Sequence, residues 1–462
     1  MRGRMTRCPG VYPRSAEPGT ATGDPASGGG LTRRLALSVL LEVEAGRRLD
    51  VAWEASGAAK TPQRGWIRNL VYGTVRLQGR LDHVLARFTS RPPGELDPEV
   101  RAVLRMGAYQ ILEMDAVPAY AAVSESVAQV KGGAGRAAAG LVNAVLRRVA
   151  REGAPDSSFP SPESDPEGYL TSWGSHPEWL VRRWVQHFGR PGARALVEAN
   201  NREPDICLRP VGIPVERAAE VLAAAGLCDP PGNESSAGSG RPSWIRLRRG
   251  ADPGAALAAV PSVIQDPAAS LVADYAAPPP GSLVADLCAA PGGKALALSA
   301  CARRVVAADR SPLRLARVLD GVRRLGAPVW TVAADARFPP LRSADVVVVD
   351  VPCSGTGTIR RHPDARWRLQ EADIRELAEV QRNILEGAAP VVPRGGLLVY
   401  ATCALEPEEN RGQVKRFLAS HPDFRIEPAG MPDRFLDGQG CLSVLPQESG
   451  FDGAYAARLR RT

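Results

Sequence analysis

Between residue 31 and about residue 152, apolar positions recur every three to four residues with arginine on the opposite faces, as in LALSVLLEV, IRNLVYGTVRLQGRLDHVLARF and GLVNAVLRRVA. That period predicts amphipathic helices packed into an all-helical domain. From about residue 261 the pattern changes. Short runs rich in Val, Leu and Ala at LVADLC, RVVAAD, VWTVAAD, ADVVVVD and GLLVYAT alternate with helical stretches such as SPLRLARVLDGVRRLG and EADIRELAEVQRNILEGAA. Runs of that kind predict strands buried on both faces, and their alternation with helices predicts a parallel, doubly wound sheet.

Between the two regions, EGAPDSSFPSPESDPEG is a linker rich in Pro, Ser and acid. A helical pair carrying Trp179, Leu180, Trp184 and Phe188 follows, and DICLRPV, PVERAAEVLAAAGL and SWIRLRR predict strand, helix, strand. The expected organisation is a disordered tail (1–30), a helical domain (31–152), a linker (153–168), a small α/β segment (169–260) and an α/β domain (261–462). DPPGNESSAGSG, inside the small segment, is expected to be a flexible loop.

Composition narrows the class. Eight cysteines at 8, 207, 228, 288, 301, 353, 403 and 441 form no CxxC pair, and no secretory signal is evident, which argues for reduced thiols in a cytoplasmic protein. No run approaches the ~18 apolar residues of a spanning helix, so a soluble chain is expected. The net charge of +8 suits a polyanionic partner, although only four of the 58 basic residues are lysine, a sign of compositional bias. Against that background Lys294, at the end of a glycine-rich turn, is informative.

Cys353 follows the strand-like run Ala344 to Val349, and Cys403 follows Gly396 to Thr402. Both thiols therefore fall just past a strand's carboxyl end, where open α/β sheets bind ligands. The first strand runs into AAPGGK, a glycine turn that opens a helix and lets backbone N–H groups approach a polar ligand. It is neither GxGxxG nor a P-loop, since Cys288 stands where the first glycine belongs and Ala295 replaces Ser or Thr. Asp309, sixteen residues past Gly293, ends the second strand, Asp335 the third and Asp350 the fourth. An acid at each strand end suits an adenosine ligand bearing a cation better than one bearing phosphates.

DLCAAPGGK, DVPCSGTGTIRRHPDARW and YATCALEPEEN resemble the three core motifs of the RNA cytosine-5 methyltransferases, with QDPAAS and LPQESGFDGAYAARLRR similar to the segments entering and closing that domain. LVYGTVR, LRMGAYQILEM, VPAYAAVSESV and GLVNAVLRR resemble the NusB-like domain fused to it in the RsmB (Sun) type of small-subunit ribosomal RNA methyltransferase. The resemblance implies a multidomain chain: an all-α NusB-like domain that binds RNA, a small α/β middle segment, and a Rossmann-like S-adenosylmethionine methyltransferase domain. It implies that the cofactor is held by Cys288, Ala289, Ala290, Pro291, Gly292, Gly293, Lys294, Asp309, Asp335 and Asp350. It makes Cys403 the nucleophile and Cys353 its helper in product release. Ribosomal RNA, free or in an assembling subunit, is the implied partner, no membrane is involved, and a monomer is expected.

The chemistry explains the thiols. Carbon 5 of cytosine becomes nucleophilic only after a thiolate adds at carbon 6, and a free cysteine with a pKa of ~8.5 needs activation. Asp350, three residues before Cys353, is suited to neutralise charge developing on the base. The chemistry alone leaves open which cysteine attacks. Cys207, Cys228, Cys301 and Cys441 are expected to be small buried hydrophobes, and His362 a loop hydrogen-bonder. Arg360, Arg361, Arg366 and Arg368 are expected to contact RNA phosphates, while Trp367 suits base stacking and core packing equally. LRPV at 208–211 departs from the usual LRVN, and Pro210 removes a backbone donor. The competing reading is a non-catalytic RNA-binding assembly or antitermination factor, which would need neither the acids nor the thiols.

Overall fold

The computed structural model describes residues 25–131, 135–230 and 242–462; most of the expected tail and of the DPPGNESSAGSG loop lies outside the described residues. The first helix, Pro25–Glu44, starts inside the segment expected as tail. With Arg64–Arg76, Pro98–Glu113, Ala119–Lys131, Gly135–Glu152 and shorter helices it builds the N-terminal domain. The buried positions of its heptad-like stripes, among them Leu40, Ile67, Leu70, Leu104, Met106 and Leu146, meet in one core.

Helices Pro166–Ser172 and Glu178–Asn201 follow, the second kinked at Gly189, whose φ of 68° precedes Pro191. Strands β1 (Cys207–Pro210), β2 (Ile245–Arg246) and β3 (Ser262–Ile264) form a small antiparallel sheet in the order β2-β1-β3. Pro210 pairs only with Ser262 of β3, so its missing N–H removes no bond to β2. β3 carries this sheet four residues past the boundary expected at 260, because Val263 pairs with Arg209.

The C-terminal sheet contains β4 (Leu283–Asp286), β5 (Arg304–Asp309), β6 (Val329–Ala333), β7 (Val346–Asp350), β8 (Leu397–Thr402), β9 (Phe424–Ile426), β10 (Leu442–Val444) and β11 (Ala454–Arg461). Its order among the described residues is β10-β11-β8-β7-β4-β5-β6, with β9 beside β11. β4 to β8 are parallel, and β9, β10 and β11 add antiparallel pairs. Val346 and Val348 enter one apolar layer while Val347 and Val349 enter the other, which is why this strand reads as a continuous apolar run.

Candidate active site

The strand order reverses between β4 and β7: β5 and β6 extend to one side, β7 and β8 to the other. At such a reversal the connecting segments diverge and leave a crevice beyond the carboxyl ends. Here the crevice is a cleft of about 860 Å³ lined by Cys288, Asp309, Asp335, Asp350, Cys353 and Cys403, among others. The cleft thus unites the strand-end acids with both thiols.

The two sulfurs come from adjacent strands, since Asp350 of β7 pairs with Ala401 of β8. They lie 3.2 Å apart, and the Cys403 N–H also points at Cys353 Sγ, at 3.4 Å. The Cys353 thiol is pushed well above its ordinary pKa, first by its hydrogen bond to Cys403 and then by burial. The loops approach closely because Gly357 has no side chain: a Cβ there would meet Gly453 Cα at 2.6 Å and Cys403 O at 2.7 Å. Instead, Gly357 N–H donates to Cys403 O at 3.0 Å.

Across the cleft, Gly292 opens the glycine turn at φ +108°, a conformation that L side chains avoid, and a Cβ there would press on Val318 at 3.2 Å. Ala290 N–H donates to Asp309 Oδ2 at 3.3 Å and Ser311 N–H to Asp309 Oδ1 at 2.9 Å. Lys294 Nζ donates to Asp350 Oδ2 at 2.7 Å. Burial pulls the Lys294 ammonium down, but the Asp350 carboxylate outweighs it and holds the pKa above its ordinary value. Burial also pushes up the Cys288 thiol, assisted by the charges of Asp286 and Asp350.

Asp335 lies beyond its strand rather than at its end. β6 stops where Ala333 pairs with Asp309, and the chain then turns so that Arg337 clasps the Asp335 carboxylate at 2.6 Å, holding its pKa down to about 2. Asp286, at the end of β4, is an acid that motif reading passed over. Burial, then the Asp350 charge, pushes it up to about 7, and its Oδ2 is buried without a hydrogen-bond partner. The strand-end rule that singled out Asp309 would have found it in LVADLC. Cys207, Cys228 and Cys441 are buried as expected, whereas Cys301 is exposed, in the turn after helix Gly293–Leu298.

Arg360, Arg361 and Arg366 are internal clamps, not the phosphate contacts expected of them, whereas Arg368 lines the cleft. Arg360 and Arg361 both pair with Asp266 and Asp452, three of these contacts measuring 3.0, 2.5 and 2.6 Å, and Arg361 also reaches Asp266 Oδ2. Arg366 is wholly buried and donates to Ser175 O and Asn201 Oδ1, each at 2.9 Å. Arg368 donates to Asp364 at 2.9 Å. Trp367 packs against the helical domain, its Nε1–H donating to Val75 O at 2.8 Å, so packing takes the ring that stacking would need. His362 lines the cleft, and burial pulls its pKa down.

An open, mostly parallel α/β sheet with a glycine turn after its first strand and acids around the reversal is the fold of an S-adenosylmethionine-type methyltransferase. Residues 274–460 match the 16S rRNA methyltransferase RsmB/F family, residues 31–151 the NusB family, and residues 176–227 the ferredoxin-like domain of RsmF/B-like methyltransferases. The ribosomal RNA small subunit methyltransferase B of Thermus thermophilus is 36% identical over 94% of this chain and 98% of its own length. The probable enzyme of that name from Synechocystis is 33% identical over 87% and 92%. Among solved structures, PH0851 is 25% identical with a TM-score of 0.77, covering 94% of this chain and 99% of that one. This chain belongs to the RsmB/F family of small-subunit rRNA methyltransferases.

Proposed function

We propose that this protein transfers a methyl group from S-adenosylmethionine to carbon 5 of a cytosine in small-subunit ribosomal RNA, through a covalent adduct between Cys403 and carbon 6. The observation that carries this reading is the pair of thiols 3.2 Å apart at the reversal of a parallel sheet. A non-catalytic assembly factor would leave that pair without a purpose. The names of the relatives support ribosomal RNA as substrate, and the net charge of +8 is compatible with it. No helix among the described residues is long and apolar enough to cross a membrane. We take the enzyme to act as a monomer in the cytoplasm.

The residues present fit the cofactor. Asp309, Asp335 and Asp350 line the cleft beside the glycine turn, and the buried Asp286 Oδ2 has no hydrogen-bond partner. In this reading Cys288 to Lys294, Asp309, Asp335 and Asp350 hold it. When bound it supplies an electrophilic methyl group on a sulfonium.

We assign the attack to Cys403 on the family resemblance; its sulfur lies 3.2 Å from that of Cys353, whose thiol is held above its ordinary pKa by that contact and by burial. The Cys403 thiolate adds to carbon 6, and the Asp350 carboxyl, held in place by Lys294, delivers a proton to N3 that neutralises the negative charge developing on the base and takes it back on elimination. Once carbon 5 is methylated, its proton passes to water in the open cleft, the C–H electron pair restores the double bond between carbons 5 and 6, and the carbon–sulfur pair leaves with the Cys403 sulfur. Cys353, 3.2 Å from the Cys403 sulfur, then donates its S–H to the departing thiolate. The base must be flipped out for carbon 6 to be reached.

Labelled S-adenosylmethionine incubated with small-subunit rRNA tests the reaction. Label on carbon 5 of cytosine is expected; absence of transfer to any RNA would overturn the reading. With 5-fluorocytosine RNA, Cys403→Ala is expected to form no adduct, while Cys353→Ala accumulates a covalent complex with unmodified substrate. The reverse pattern would exchange the two roles.

A further inference from the structure

Two adjacent buried residues with no role so far, Glu409 and Asn410, lie in the loop that follows Cys403. Asn410 grips the residues on either side of that cysteine: Thr402 Oγ1 donates to its Oδ1 at 2.6 Å, and its Nδ2 donates to Ala404 O at 2.9 Å. Glu409 reaches the other cysteine's loop. Its Oε1 accepts from Ser354 N–H at 2.8 Å, and its Oε2 accepts from the Ser354 hydroxyl. Gln381 Nε2 donates to the same Oε1 at 2.8 Å and to Pro352 O at 3.0 Å, so both neighbours of Cys353 are held. Tyr400 anchors the assembly from β8, its hydroxyl donating to Glu409 O and lying 3.2 Å from Gln381 Oε1.

Glu409, Gln381 and Tyr400 are each 0% exposed, and Asn410 is 8% exposed. A buried carboxylate and two buried amides are costly unless fully hydrogen-bonded, so the network has few alternative arrangements. Two sulfurs on separate loops stay 3.2 Å apart only if both loops are fixed, and a displacement of about 1 Å in a reacting group costs on the order of 100-fold in rate.

We propose that Glu409 and Asn410 are paired positioning residues for the methyl-transfer reaction, Asn410 setting Cys403 and Glu409, through Ser354 and Gln381, setting Cys353. This rests on the two-cysteine reading above. Being neighbours in sequence, the two residues make the separation of the thiols a property of one dipeptide. Neither touches the substrate, so neither is a catalytic residue. Burial pushes the Glu409 carboxyl up, against the hydrogen bonds from Ser354 that draw it down, in keeping with a group whose donors are all internal.

The test uses the full chain without RNA: limited iodoacetamide labelling, with modification of Cys353 and Cys403 followed separately by peptide mass spectrometry. In the natural protein Cys403 is expected to react first. Glu409→Ala should raise labelling of Cys353 about tenfold and leave Cys403 within about twofold, since loosening exposes only the thiol whose loop is freed. Asn410→Ala should change Cys403 by a similar factor and spare Cys353. Glu409→Gln, which keeps an acceptor for Ser354 N–H, and Asn410→Asp, which keeps one for Thr402, should shift the same single cysteine by less; they carry the test if an alanine variant fails to fold. Unchanged labelling in both variants, or both cysteines moving together in either, overturns the proposal. Adduct formation with 5-fluorocytosine RNA is scored in parallel on the natural protein. If none forms, the cytosine reading fails, while the labelling still decides whether the clamp exists.

Discussion

The acids that precede Cys353 in the chain and the arginines that follow it are used in opposite ways. On the near side, Asp350 lies with Asp309 and Asp335 around the cleft. On the far side, Arg360, Arg361 and Arg366 turn inward and are satisfied by carboxylates and carbonyls of the protein itself. Arginine in a catalytic loop is readily taken as a hand for phosphate. Here the partners of Arg360 are Asp266 and Asp452, 94 and 92 residues away in the chain, and they belong to the segments that enter and close the domain. The acids meet the cleft because strand ends must point there; the arginines brace the loop so that the thiols stay at the same rim.

The largest effect that could break this contrast is at the cleft. Cys403→Ala is expected to reduce methyl transfer by about 10⁴-fold or more, with a melting temperature close to that of the natural protein; a residual rate near normal would mean that the cleft's chemistry lies elsewhere. Next comes the brace. Arg366→Ala is expected to lower folding stability by about 3 kcal/mol, because it strands buried acceptors around the lost guanidinium. Urea denaturation reads this directly, and unchanged stability with weakened RNA binding would return the loop to the role of an RNA surface.

Smaller is the pH response of Asp286. Its carboxyl keeps a proton up to about 7 when folded but releases it near 3.8 when unfolded. The folded state binds more protons across that window, so stability is greatest below it and falls as pH rises toward 7. Denaturation of ligand-free protein at pH 5 and pH 8 should show the fall, and Asp286→Asn should flatten it; an equal slope in both proteins would mean that the site tolerates a charged carboxylate. The smallest effect concerns an arginine of the cleft itself. Arg310 is exposed and lines the cleft, where its charge helps Arg337 hold the Asp335 carboxyl down. Arg310→Ala should lessen the salt dependence of RNA binding by about one phosphate contact, with melting unchanged, as read by binding titrations at several salt concentrations.

Much of the architecture was legible from local pattern. The helical period of the N-terminal region, the apolar runs of β4 to β8 and the glycine turn all follow from which faces must be buried. The errors have specific causes. β6 was read as reaching Asp335, but apolar character continues past the last paired residue, and pairing is a property of two strands. Asp286 stands inside the glycine motif, and its significance comes from burial beside Asp350, which only the folded sheet supplies. Arg366 is expected from the sequence to meet phosphate and Trp367 suits stacking and packing equally, because their partners Val75, Ser175 and Asn201 lie in the helical domain and the segment after it.

Order along the chain sufficed to identify the family, the parallel sheet and the presence of two thiols and several acids beyond strand ends, because those features depend on burial and on a few contiguous motifs. Which charges face the cleft, how near the sulfurs approach and what holds them there were settled by contacts between distant segments. Folding brings Asp266, Asp452, Gln381, Glu409 and Asn410 around the loops of Cys353 and Cys403. A buried polar group takes its meaning from the partner that satisfies it, and that partner is chosen by the packing of the whole fold.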